Sequence, residues 1–241
     1  MPDNNVTEFE KQSLISKTIN IYTKPSIVFN EVKKSSSWWY PFTIAAVLTV
    51  ISVLLTTDLQ IQAQREFINN SEIIPEENKV EMLDALENQG IVNRKIAPAL
   101  GGIFSIGVSY LVIAGALLFF GNFIYGGQVK FSRVFAMTCW GGMIYLPEII
   151  VKLPLMLVNN TLKVYTSPAL FMGSDASNSL LFNLLDAFDV FAIWRIVVFA
   201  IGFAVIYNFS IKKSYTAVIS LYVIYTAVSI GLNQLFSGVM F

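Results

Sequence analysis

Four ionisable residues stand inside apolar runs, and they carry most of the chemistry this sequence could perform. Glu148 and Lys152 lie four residues apart in YLPEIIVKLPLM, framed by Pro147 and Pro154, and Asp189 and Arg195 lie in DVFAIWRIV. Charges in such surroundings serve either as a closed, pairing network or as a proton or ion relay. Catalytic chemistry has little to work with. There is no histidine and one cysteine, Cys139, so His/Cys zinc sites, His-ligated haem and Ser-His-Asp or Cys-His catalysis all lack their main residue. Cys139 has no acidic or basic neighbour in sequence and reads as a packed thiol. Asp186 and Asp189 sit three apart at a segment boundary, where acids at a helix N-terminus have an ordinary dipole explanation. The expectation is no catalytic residue, no metal site and no cofactor. A phosphate-cradling Gly-Lys loop and a dinucleotide fingerprint are both missing, and no basic stripe suggests nucleic acid.

The elements that must position these charges follow from composition. Of 241 residues, 55% are hydrophobic and 13% charged, about half the charge of an ordinary soluble domain. Mean hydropathy is +0.61. Five apolar segments are long enough to cross ~30 Å of hydrocarbon at ~1.5 Å per residue, at about 40–57, 97–125, 134–158, 188–209 and 214–238. Helices are the only plausible crossing, because isolated strands would leave backbone groups unpaired in lipid. The expectation is an all-α polytopic membrane protein: an amphipathic arm at 1–37, then a five-span domain at 38–241 with outer loops at 58–96 and 159–187. No signal peptide precedes the first apolar block.

In the arm, Phe9, Ile15, Ile19 and Tyr22 recur at helical spacing, and SIVFNEVKK after Pro25 turns Ile27, Val28 and Val32 inward. Flanking lysines suit both helices to the membrane face. Trp38, Trp39 and Tyr40 then form an interfacial aromatic belt. Within 58–96, an amphipathic helix at 75–89 begins at Pro75, stops at Gly90 and carries the stripe Val80, Leu83 and Leu86. The third loop contains Pro168 and Gly173 and ends in the amphipathic SLLFNLL. Gly101, Ser105 and Ser109, at four-residue spacing, and the shorter pair Ala227 and Gly231 are helix-packing faces. They are expected to pack inside the protein's own bundle, with a partner helix or a second copy as the alternative.

Lysine and arginine set the orientation. The segments 1–37, 126–133 and 210–213 hold nine in 49 residues, whereas 58–96, 159–187 and 239–241 hold five in 71. The positive-inside rule puts the N-terminus in the cytoplasm and the C-terminus outside. On that path Glu148 lies ~21 Å along the third span and Arg195 ~10 Å below the outer surface. The two fall at similar depth, with Lys152 and Asp189 both near the outer boundary. Glu148, Lys152, Asp189 and Arg195 are therefore expected to form one cluster joining the third and fourth spans.

Three stretches resemble one known family. KPSIVFNEVKKSSSWWYPF, GGQVKFSRVFAMTCWGGMIYLPEII and LLDAFDVFAIWRIVVFAIGFAVIYNFSIKKSYTAV are similar, in order and spacing, to the entry motif, central signature and later block of Yip1-domain membrane proteins. The likeness runs over about residues 20–235. The resemblance implies a five-helix membrane domain with a cytoplasmic N-terminus and no established catalytic activity. The short arm and large acidic first loop depart from the eukaryotic pattern, where traffic and small GTPases are the association, and point to the bacterial branch. There the resemblance implies an accessory or scaffold protein of envelope complexes, ABC-type exporters included. Its partners would be the lipid bilayer and other membrane proteins or a second copy. The alternative is a small ion- or proton-coupled transporter or channel built on Glu148 and Arg195.

Overall fold

The first helix starts where Ser13 accepts a hydrogen bond from the Ser16 N–H at 3.1 Å, a side-chain cap on an otherwise unpaired donor. This α1 (Leu14–Thr23) is followed by α2 (Pro25–Ser35), with Pro25 at the first-turn position that tolerates a missing N–H. The computed structural model of the chain describes residues 13–71, 73–172 and 179–240. Phe9 of the arm and Gly173 of the third loop lie outside them. Among the described residues every regular element is helical.

After the arm come α3 (Trp39–Leu55), α4 (Thr57–Asn70), α5 (Glu76–Glu87), α6 (Ala97–Leu118), α7 (Phe131–Gly141), α8 (Tyr145–Val158), α9 (Leu180–Asp186), α10 (Val190–Tyr207) and α11 (Ile211–Met240). Short π-helical turns at Val92–Ile96 and Phe119–Ile124 extend α6 at both ends, and a 3-10 turn at Gly142–Ile144 joins α7 to α8. Four helical stretches among the described residues are long and apolar enough to cross a membrane: Val92–Ile124, Phe131–Val158, Val190–Tyr207 and Ile211–Leu232. α2 and α3 form a bent pair, turning by 116° between them, and make a fifth where the pair is counted as one span. α3 alone has 17 residues, about 25 Å.

The spans alternate in direction, so the bundle has two ends. Lys33, Lys34, Lys130, Arg133, Lys212 and Lys213 gather at one, the basic end. The other, the loop end, carries α4, α5 and α9 with their connections. α10 is the hub, touching α2, α7 and α11, while α6 sits between α3 and α7.

The arm packs against the bundle. Val28, Phe29 and Val32 are buried in one cluster with α7 and α10, and four hydrogen bonds hold the arm there. Tyr22 Oη donates to the Met143 carbonyl at 3.0 Å. Pro147, four residues on, has no N–H to offer that carbonyl, so Tyr22 occupies a place the helix leaves open. Lys33 Nζ donates to the Val205 carbonyl at 2.9 Å and to Asn208 Oδ1 at 2.6 Å, placing a cation at the C-terminus of α10. Trp140 Nε1 donates to the Ser37 carbonyl at 2.9 Å. Within the arm, Lys17 and Glu31 pair at 2.5 Å. Ile27, expected inward, is exposed; on α1 Ile21 is buried, while Ile15 and Ile19 point outward. Internal polar and close-packed contacts, not the apolar periodicity, set the rotation of these helices.

The loop region is also more structured than expected. α4 follows α3 after Thr56 and packs on α5. α5 matches the expected helix in place, but Leu86 is buried and Val80 is exposed, so the stripe does not include Val80.

Candidate functional site

Glu148 sits in the first turn of α8 and Lys152 one turn later, so both project from one helix face. Asp189 is the N-cap of α10, its carboxylate accepting from the N–H groups of Phe191 at 2.8 Å and Ala192 at 3.2 Å. Arg195 follows on α10 after about one and a half turns. Ion pairs from α8 to α10 bring all four together. Lys152 Nζ lies 2.8 Å from Glu148 Oε1 and 3.1 Å from Asp189 Oδ2. Arg195 Nη2 lies 2.6 Å from Glu148 Oε2. The Glu148, Lys152 and Asp189 side chains are 16%, 17% and 14% exposed, and that of Arg195 41%. An isolated charge at such a place costs several kcal/mol. Here each carboxylate has a cation and each cation a carboxylate.

The connection between α8 and α9 supplies partners that sequence reading did not single out. Thr166 donates its hydroxyl to Asp189 Oδ2, and Ser167 donates to Asp186 Oδ1 at 2.8 Å. Burial pushes the Asp189 carboxyl up, but the Thr166 hydroxyl, the Lys152 ammonium and the Ala192 N–H outweigh it and hold the group below the ordinary carboxylate range. Tyr165 is pushed above the ordinary phenol range by burial and by the nearby Asp186 charge. Adjacent polar residues in a loop offered only a weak signal: Tyr165, Thr166 and Ser167 are consecutive, but no periodicity aims them at α10.

Above this network lies a cavity of about 360 Å³, lined in part by Glu148, Lys152, Lys163, Tyr165, Asp186 and Arg195. Below it, towards the basic end, Tyr110, Cys139, Trp140, Met143 and Ile144 are buried. A Cβ on Gly142 would stand 2.3 Å from the Tyr110 hydroxyl, so α6 and the α7–α8 joint are in tight contact. Among the described residues, no group of three or more His, Cys, Asp or Glu side chains is arranged to hold a metal ion.

The remaining sequence candidates divide. Gly101, Ser105 and Ser109 are exposed, and a Cβ on Gly101 would meet nothing within 4 Å. This corrects the expectation that they pack within the bundle. The small residue that admits α3 is Gly102, where a Cβ would stand 2.7 Å from Thr49 Cγ2. Ala227 and Gly231 are exposed as well, and a Cβ on Gly231 also meets open space. Trp38 and Trp39 are exposed. Tyr40 is half-buried, with its hydroxyl 3.0 Å from that of Thr18 and its ring 5.8 Å from that of Trp140.

Comparison with known proteins agrees with this architecture. The Yip1 domain family model matches residues 19–232. The chain is 22% identical over 237 residues to a protein named "Membrane protein YknW" of Bacillus subtilis (strain 168), covering 98% of this chain and 94% of that one. No solved structure matches. The chain belongs to the Yip1 domain family and is an integral membrane protein of its bacterial branch.

Proposed function

We propose that this Yip1-domain protein is a non-enzymatic accessory or scaffold subunit that binds other membrane proteins of a bacterial cytoplasmic membrane, an ABC-type exporter complex among them. The observation that carries the reading is the open face of α6. Gly101, Ser105 and Ser109 are exposed, although small residues at this spacing are what lets a neighbouring helix backbone approach closely. The membrane domain leaves that face to a partner. The exporter assignment rests on the family resemblance alone.

In this reading the basic end lies in the cytoplasm, with the N-terminus, and the loop end and C-terminus lie outside, following the lysine and arginine bias. The transporter reading has one observation in its favour, the cavity that reaches Glu148. Against it, the charges below the cavity are mutually paired, and the buried residues beneath them, Tyr110, Cys139, Trp140, Met143 and Ile144, include no charged side chain. A relay needs a polar chain, so the closed network supports the accessory reading.

The test is a photo-reactive amino acid at Ser105, in cells expressing the protein at its native level. The expected result is a light-dependent adduct with another envelope membrane protein, identified by mass spectrometry. Absence of any adduct at Ser105, with Ser109 equally silent, overturns the reading, and an adduct only between two copies replaces it with self-association.

A further inference from the structure

The cavity at the loop end has a charged lining that its own ion pairs do not exhaust. Lys152, Lys163 and Arg195 face Glu148, Asp186 and Asp189 around it. Lys152 is shared between Glu148 and Asp189, and one Arg195 nitrogen holds Glu148. Three groups remain. Lys163 is exposed and makes no ion pair among the described residues. The Arg195 side chain is 41% exposed, and its guanidinium has donors beyond the nitrogen that holds Glu148. Asp186 accepts from the Ser167 hydroxyl at 2.8 Å but has no cation within ion-pairing distance among them.

One cation lacking a carboxylate, a second with donors to spare and one carboxylate lacking a cation are the complement of a zwitterion. We infer that this cavity binds a phosphoethanolamine group, its phosphate oxygens on Lys163 and the remaining guanidinium donors of Arg195 and its primary ammonium on Asp186. The volume, about 360 Å³, falls at the small end of ligand clefts, enough for a headgroup but not for its chains. The depth also fits. Asp189 opens α10 and α8 ends at Val158, so the cavity lies where the spans meet the loop-end surface and lipid phosphates lie. Two sources carry this chemistry: phosphatidylethanolamine in the loop-end leaflet, and free phosphoethanolamine.

The same lining discriminates against the neighbouring headgroup types. Phosphatidylglycerol offers the same phosphate but a neutral glycerol in place of the ammonium, and so leaves Asp186 unpaired. Phosphatidylcholine has no N–H to donate to Asp186, and Tyr165, the one ring in the lining, does not make the aromatic cage that a quaternary ammonium needs.

The experiment is native mass spectrometry of the full-length protein, delipidated in detergent and offered equimolar phosphatidylethanolamine, phosphatidylglycerol and phosphatidylcholine. Selective retention of phosphatidylethanolamine is expected, with Lys163→Gln lowering it about tenfold. Asp186→Asn is expected to abolish the preference over phosphatidylcholine. Neither residue is ion-paired within the described network, so both variants should keep the parent's thermal midpoint, which is measured alongside. A second arm titrates free O-phosphoethanolamine: displacement of the lipid assigns recognition to the headgroup alone, and retention of the lipid assigns it to the headgroup with its chains. Equal retention of all three lipids, or parent-like retention by both variants, overturns the inference. Because the readout is lipid retention, its failure leaves the crosslinking test at Ser105 untouched.

Discussion

Glu148 is the residue on which the loop-end half of the bundle closes, since it accepts from a cation on its own helix and another on α10. Removing one partner of a fully buried pair costs ~3–5 kcal/mol, and the partial exposure of Arg195 puts its loss below that range. Charge reversal, Arg195→Glu, is expected to cut the yield of monodisperse protein sharply, and Glu148→Arg in the same chain to restore part of it. Size-exclusion profiles of the two single variants and the double variant check this. Asp189 gives the network a pH dependence. Its folded pKa lies below the ordinary value near 3.9, so its stabilisation is fully present above about pH 4 and is lost as pH falls through the folded value. The thermal midpoint in detergent should therefore drop below pH 4, and Asp189→Asn should flatten that part of the curve while lowering the midpoint at neutral pH.

The break between α7 and α8 is where sequence and structure differ in emphasis. Pro147 leaves the Met143 carbonyl without the donor a regular helix would supply. The donor that arrives is Tyr22, from a segment more than a hundred residues earlier, and nothing in the spacing of either stretch pairs them. Tyr22→Phe is expected to cost about 1–3 kcal/mol, the price of an unmet buried acceptor, read as a lowered thermal midpoint. Glycines give a matched comparison between elements. At Gly202 an added Cβ would sit 2.9 Å from the Phe29 ring and from Met137 Cγ, whereas at Gly101 it meets nothing. Gly202→Ala should destabilise by ~1–3 kcal/mol through overpacking. Gly101→Ala should be neutral or stabilising by up to ~1 kcal/mol from helix propensity. Equal midpoints for the two variants would contradict the packing of α2 on α10.

For the whole molecule, sidedness is the quantity to measure. Single cysteines at Lys34 and Asn88, in a Cys139→Ser background, should label from opposite faces of intact spheroplasts. A membrane-impermeant maleimide should reach the Asn88 position directly and the Lys34 position only after lysis. Labelling of both from one side would contradict the two-ended arrangement. Much of that arrangement was legible without coordinates. Span lengths follow from bilayer thickness and helical rise, and the requirement that backbone groups be satisfied within each segment leaves helices as the choice. The shared depth of Glu148 and Arg195 follows from the same rise once the order of spans is known. Helix rotation was not legible. The outward turn of Ile15 and Ile19, the open face at Gly101, Ser105 and Ser109, and the burial of Phe29 against Gly202 were decided only by the tertiary structure. The reason is that lipid tails are as apolar as a protein core, so an apolar side chain gains little by pointing inward. In water, hydrophobic periodicity tells a helix which way to face; in a bilayer that instruction is nearly silent, and close packing and a few buried hydrogen bonds give it instead.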